Sequence, residues 1–424
     1  MNMTRTSIPA LALILTTSLA ACSALDDLLS VDAPSTVDAA DLENPAAAGL
    51  LAASVANEFR CSLTYYATAS ALTGNEWRDA SNNSVLNIWD QRVHDTSGYG
   101  SRYASADCGS NEPAIYQPLS RTRWLADQTL ELLAGWDVSE VPDKAELEAE
   151  VAMYAGYSYV LFGESMCSVA FDEGPEQTTT DAFNLAIERF DQAIAAGAAG
   201  DVLDAARVGK ARAQLDLGQA AAAATTASAV SAGFSLQLSY SNAEAVTRNK
   251  QWEFNLDDEN VTVAEPYRNV MYGGVPDPRI SVTDRGTTNP QTGLAIWISD
   301  KYPEASTSIE LASWEEAQLI IAEAEVEAGN YSTAAGIIDA LHAPHGLPDY
   351  SGGLNATELM DQIVYERAAE MFLEGHHLQD LKRLGIPLYP PTGTDDGFGG
   401  AYGDEICFEL PATEFQNNGT IIGS

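Results

Sequence analysis

The chain has 424 residues, 61 of them acidic and 21 basic, for a formal charge of −40. That imbalance excludes a nucleic-acid-binding surface, which needs clustered Lys and Arg. Gly (32) and Pro (18) are ordinary in number and 46% of residues are hydrophobic, so wholesale disorder is excluded and a substantial core is expected.

The first 21 residues read as a segment to be removed. Arg5 supplies a positive end, Ile8 to Leu19 form an apolar run, and Leu19-Ala20-Ala21-Cys22 resembles a bacterial lipobox. Cys22 is then the lipidation site and residues 22–44 a lipidated tether, with an ordinary secretory signal as the alternative. In an oxidising compartment the remaining cysteines, Cys61, Cys108, Cys167 and Cys407, are disulfide candidates. Four cysteines permit three pairings, which the sequence does not choose between; Cys61–Cys108 with Cys167–Cys407 is favoured because the first pair brackets one loop-rich insertion.

Residues 45–424 read as one mainly α-helical domain. Asn44-Pro45 opens a helix to about Thr64, and residues 60–115 then lose helical period. Period returns over Tyr116–Leu133. It continues in a helix behind Pro142-Asp143, then in Asp181–Ala195, Asp201–Leu217 and Gln219–Ser231. Residues 233–310 are a second loop-rich excursion, with at most a short hairpin. Ser313 with Glu316 and Asn355 with Glu358 resemble capping boxes opening later helices. The second of these has Met360, Val364, Ala368 and Phe372 at four-residue steps and ends near Gly375, and the tail from Pro387 is irregular. The segments around Gly218 and Gly329 share a layout of small residues, Gly turn and second Ala-rich helix, a tetratricopeptide-like hairpin scaffold.

The run Glu366-Arg367, Glu370, Glu374-Gly375, Asp380-Leu381 and Arg383 before Gly385 resembles the C-terminal hallmark of the SusD/RagB family. Trp314 to Ala324, Pro276-Asp277-Pro278-Arg279, Lys301-Tyr302 and Leu410-Pro411 to Glu414 follow the family's order; His377 and Ala368 stand where it usually has Arg. The resemblance implies a SusD-like α-helical fold and a surface-exposed lipoprotein of the outer membrane. Such a protein binds oligosaccharides, or in some branches peptides, without catalysis and delivers them to a SusC-like TonB-dependent transporter.

The residues themselves point the same way. Glu366, Glu370 and Glu374 share one helix face, too regular for a catalytic pair across a cleft, and Glu366, Arg367 and Glu323 read as structural. His376 and Asp380 read as structural rather than metal-ligating, and His342 and His345 as solvated beside Pro344. No hydrolase, zincin, phosphate-loop or dinucleotide motif is present, so no catalytic residue, metal or cofactor is expected. Sugar rings stack on aromatic planes while their hydroxyls meet amides and guanidinium groups. The loop-rich regions offer that mix: Trp77, Trp89, Tyr99 and Tyr103 with Asn75 and Arg78 in the first, and Tyr267, Tyr272, Trp297 and Tyr302 beside Arg268 in the second. Trp77, Trp89 and Tyr272 lead the ligand-binding candidates, whereas Trp124, Trp136 and Trp314 are expected in the core. A tetratricopeptide-type scaffold lipoprotein of envelope assembly, binding no small ligand, is the alternative; an all-helical glycosidase is a third reading.

Overall fold

The computed structural model describes residues 43–94, 104, 106–108, 114–397 and 399–422. The readings on residues 1–21, Cys22, Tyr99 and Tyr103 lie outside the described residues. Within residues 43–47, Asn44 Oδ1 accepts from Ala46 N at 3.0 Å ahead of a 3-10 turn, Pro45–Ala47.

Among the described residues eleven helices of at least eight residues carry the unit from Ala48 onward: α1 Ala48–Thr73, α2 Ser84–Gln91, α3 Tyr116–Gly135, α4 Lys144–Ser165, α5 Thr179–Ala196, α6 Gly200–Asp216, α7 Ala220–Ala227, α8 Trp314–Glu327, α9 Tyr331–His342, α10 Ala356–Glu370 and α11 His377–Leu384. Helices α3 to α8 pack on one another in succession, α8 also packs on α9 and α10, and α1 lies against α3 and α4. Helix α1 runs nine residues past Thr64, because every residue from Cys61 to Thr73 is buried. A helix enclosed on all sides has no polar stripe, so its sequence shows no period.

The helical hairpins close through glycine. Gly218 (φ +71°) and Gly329 (φ +79°) both adopt the left-handed conformation. Gln219 N reaches back to Gln214 O at 2.9 Å, and Asn330 N to Glu325 O at 2.8 Å. The same six-residue closure therefore ends both helices, as their shared layout implied. Close approach has its own requirement at Gly209, where a Cβ would stand 2.2 Å from Phe190 Cζ.

Caps follow the sequence in part. Thr178 and Asp181 form a full capping box on α5, two residues ahead of the expected start. Ser313 Oγ accepts from Glu316 N, but the Glu316 carboxylate turns inward to Arg212 instead of completing the box. Asp143 makes no side-chain cap. Along α10 the buried face is Leu359, Ile363, Glu366, Arg367 and Ala369, one step off the expected Met360–Val364 row.

Residues 233–313 hold more strand than expected. Seven short strands join β1 (Trp77–Asp79): β2 Ser235–Leu238, β3 Val261–Val263, β4 Met271–Tyr272, β5 Val275–Pro276, β6 Val282–Thr288, β7 Ala295–Ser299 and β8 Ile309–Ser313. They pair antiparallel as β1–β3, β2–β8, β4–β5 and β6–β7. Two-stranded ribbons of this length are marginal alone, so the helices behind them must hold them. Cys61–Cys108 and Cys167–Cys407 form disulfides, the second tying the end of α4 to the tail. Among the described residues no helix is long and apolar enough to cross a membrane.

Candidate functional site

The hallmark residues form a buried ion-pair network. Glu366, with no exposed side-chain surface, accepts from Arg279 Nη1 at 2.6 Å and His342 Nε2 at 2.8 Å. Asp277 takes the other edge of Arg279 at 2.7 Å and accepts from Tyr365 at 2.7 Å. Arg367 pairs with Asp380 at 2.8 Å, and Arg383 joins Asp380 and Glu323. Lys301 Nζ donates to Glu374 at 2.6 Å and to Phe372 O at 2.8 Å, while Tyr302 donates to Leu373 O. The segments around 277, 301 and 323 thus each pair with the run 366–383. Burial pushes Glu374 up to about 8 against the pull of Lys301. His342 is fully buried rather than solvated, because α10, the helix that follows its own, brings Glu366 to it. His376 is buried too, with Nε2 3.4 Å from Arg212 Nη2. Among the described residues no group of three or more metal-ligating side chains forms.

Two leading aromatic candidates are corrected. Trp77 and Trp89 have no exposed surface and belong to the core. Strand β1 alternates, so Trp77 and Asp79 point inward and Arg78 outward. Helix α2 turns Val85, Leu86 and Trp89 inward together, and Trp89 meets the edge of Phe408 at 5.3 Å. Asn75 is buried as well; its Oδ1 accepts from Arg92 Nη1 and so positions that guanidinium. Tyr267 and Tyr302 are buried, Tyr267 stacked on Phe372 at 5.1 Å. Trp124, expected in the core, is 52% exposed, because α3 turns Thr122, Ala126, Thr129 and Leu133 inward instead.

The remaining candidates come together across the two loop-rich regions. Strand β1 of the first region pairs with β3 of the second, Arg78 opposite Thr262. Thr262 Oγ1 then donates to Ala295 O at 2.9 Å and accepts from Trp297 N at 2.8 Å, fastening β7 beside β3. Ile296 and Ile298 pack with Ala80 in a small cluster of their own, while Trp297, half-buried, lies against the main core. The Arg268 guanidinium lies over the Trp297 ring at 5.4 Å. Glu265 stands between two arginines, 3.6 Å from Arg78 Nη1 and 3.6 Å from Arg268 Nη1, and accepts from Tyr389 at 3.2 Å. Tyr389 is 38% exposed. Tyr402 lies beneath, with the Arg78 and Arg92 guanidinium carbons each 5.2 Å from its ring centroid, and donates to Asp90 at 3.2 Å. Burial raises Asp90 to about 7 even though Arg78 opposes the shift. Burial lowers Arg268, with Arg78 adding repulsion.

Tyr272 stands at a separate notch of about 320 Å³ with Tyr350, Asp349, Asp361 and Gln362. Its ring stacks on Tyr365 at 5.5 Å. The residues missed in the sequence are Glu265, Tyr389 and Tyr402. Tyr389 precedes Pro390-Pro391 in the Gly/Pro-rich tail, and an aromatic held in such a loop was the available signal.

Residues 316–417 match the SusD family model. A SusD superfamily protein from Bacteroides fragilis superposes with a TM-score of 0.67 at 14% identity, over 89% of this chain and 99% of that one. A SusD homolog from Bacteroides thetaiotaomicron gives 0.66 at 13%, over 92% and 98%. A protein described as a SusD-like carbohydrate binding protein, from Bacteroides vulgatus, gives 0.63 at 12%, over 90% and 98%. No curated protein sequence matches the chain.

Proposed function

We propose, from the match of residues 316–417 to the SusD family and the fold shared with SusD superfamily proteins over most of the length, that the chain is a member of the SusD/RagB family and a non-catalytic nutrient-binding protein whose ligands are oligosaccharides. The observation that carries the reading is the junction of β1, β3 and β7, which sets half-buried Trp297 and exposed Tyr389 beside Arg78, Arg268 and Glu265. A ring face with guanidinium donors and a carboxylate acceptor around it suits a sugar, whose C–H face stacks while its hydroxyls bond at the rim. The glycan-binding description of the Bacteroides vulgatus neighbour supports the same ligand class.

The rest of the reading follows the sequence. Lipidation at Cys22 would anchor the protein to the outer membrane through the tether 22–44, and a SusC-like TonB-dependent transporter would receive the ligand. Titration of a neutral and acidic oligosaccharide panel tests the binding step. Trp297→Ala combined with Tyr389→Ala should weaken affinity about tenfold or more with an unchanged circular-dichroism spectrum. Unchanged affinity in that double variant, or cleavage of the glycans by the purified protein, would refute the proposal.

A further inference from the structure

The arginines at the β1–β3–β7 junction bear on which saccharides fit. The whole chain holds 21 basic residues against 61 acidic ones, yet Arg78, Arg92 and Arg268 gather here. Arg92 lies underneath, fully buried, and its hydrogen bonds go to neutral oxygens: Asn75 Oδ1 and the carbonyls of Gly403, Tyr389 and Pro390. Asp90 and Asp404 act on it only through space. Arg78 uses Nε on Asp90, and Arg268 uses Nε on Val263 O at 2.7 Å. Among the described residues neither arginine donates a hydrogen bond from its Nη atoms; each Nη1 stands 3.6 Å from the shared Glu265 carboxylate.

One carboxylate therefore bridges two guanidinium forks at a distance too long for a hydrogen bond, and its own side chain is 41% exposed. Planar forks of this kind match a carboxylate edge in two-point contact better than they match isolated hydroxyls. A carboxylate group placed where Glu265 now sits, and free to approach closer, would reach both Nη1 atoms. Tyr389, exposed and donating to Glu265, would stack on the sugar ring that bears it, while Trp297 backs the Arg268 guanidinium from beneath.

We propose that the surface selects acidic oligosaccharides, those bearing hexuronate carboxylates, by exchanging the Glu265 contact with Arg78 and Arg268 for one with the ligand. This rests on the carbohydrate reading above and narrows it. Glu265 then acts as an internal stand-in that keeps the two cations from repelling each other in the free protein, and it disfavours a neutral sugar, which cannot replace the contact that Glu265 gives up.

The test is calorimetric titration of the purified protein with galacturonate, glucuronate and mannuronate oligosaccharides, each beside its carboxyl-reduced counterpart, plus a sulfated neutral oligosaccharide and an acidic peptide. At least one uronate should bind about tenfold more tightly than its reduced form, an advantage that shrinks as salt rises. Arg268→Gln should abolish the difference between the two forms, and Glu265→Gln should widen it. Equal affinity for acid and reduced forms would overturn the acidic preference while leaving sugar binding intact. Binding of the sulfated sugar but no uronate would overturn the carboxylate assignment. Binding of the peptide with no saccharide bound would overturn both this inference and the carbohydrate reading.

Discussion

Glu366→Ala should lower the unfolding free energy by about 3–5 kcal/mol, the usual cost of removing one partner from a buried charge pair. Glu366 is fully buried and, among the described residues, is the only carboxylate that joins Arg279 to His342. Its loss leaves the His342 ring facing an empty space and Arg279 held by Asp277 and Glu370 alone. Glu366→Gln separates shape from charge and should cost less, because the amide can still accept from one of the two donors. The effect has a pH signature. Burial would lower the His342 pKa, but the hydrogen bond and charge of Glu366 outweigh it and raise the value above that of an ordinary histidine. A raised histidine contributes stability that is fully present below about pH 6.5 and is lost as the pH climbs through the raised value. The gap between wild type and Glu366→Ala in urea melts should therefore be wider at pH 5.5 than at pH 8.5. A gap independent of pH would mean that the pair is not ionised as described.

Cys167→Ser with Cys407→Ser should be comparably severe. The two cysteines are 240 residues apart in sequence, and the bond fixes the end of α4 to the tail strand segment at Phe408. By the chain-entropy relation a loop of that length restricts the unfolded chain by about 5 kcal/mol, and measured losses commonly fall below such values. The tail also carries Tyr389 and Tyr402, so the double variant should lose ligand affinity as well as stability. The Cys61–Cys108 bond closes a loop of only 47 residues, so Cys61→Ser with Cys108→Ser should cost less. Comparing urea midpoints of the two double variants decides the order. An equal or reversed ranking would show that the tail is held chiefly by packing.

The helical array was legible because its signals are local. Glycine turns at 218 and 329, Ala-rich partners and four-residue spacings each follow from one stretch of chain. The second half of α1 was hidden because complete burial erases the pattern from which helices are read. The candidate surface was legible only by region. Trp77 and Arg78, both candidates, are neighbours on a three-residue strand too short to show which of the two faces outward; the strand turns Arg78 outward and Trp77 inward. Trp89 could have been assigned to the core from Val85 and Leu86, one helical turn before it. Trp124 shows the converse: its apolar character suggested burial, while the small and branched residues beside it had already filled the inner face of α3. Glu265 and Tyr389 owe their place to contacts across 124 residues, which no local pattern encodes. The ion-pair network was recognised as structural, but its geometry was not, since Arg279 and Glu366 meet from segments 87 residues apart.

The claim at the centre of this account is that ligand is held where the two loop-rich regions are stitched together. Hydrogen exchange with and without a bound oligosaccharide addresses it directly. Slowed exchange should appear in residues 77–79, 263–269 and 295–299, and around Tyr389, with the helices of the array unchanged. Protection confined instead to the acidic hollow of about 480 Å³ lined by Glu310, Glu315 and Glu370, with the β1–β3–β7 junction unaltered, would contradict it.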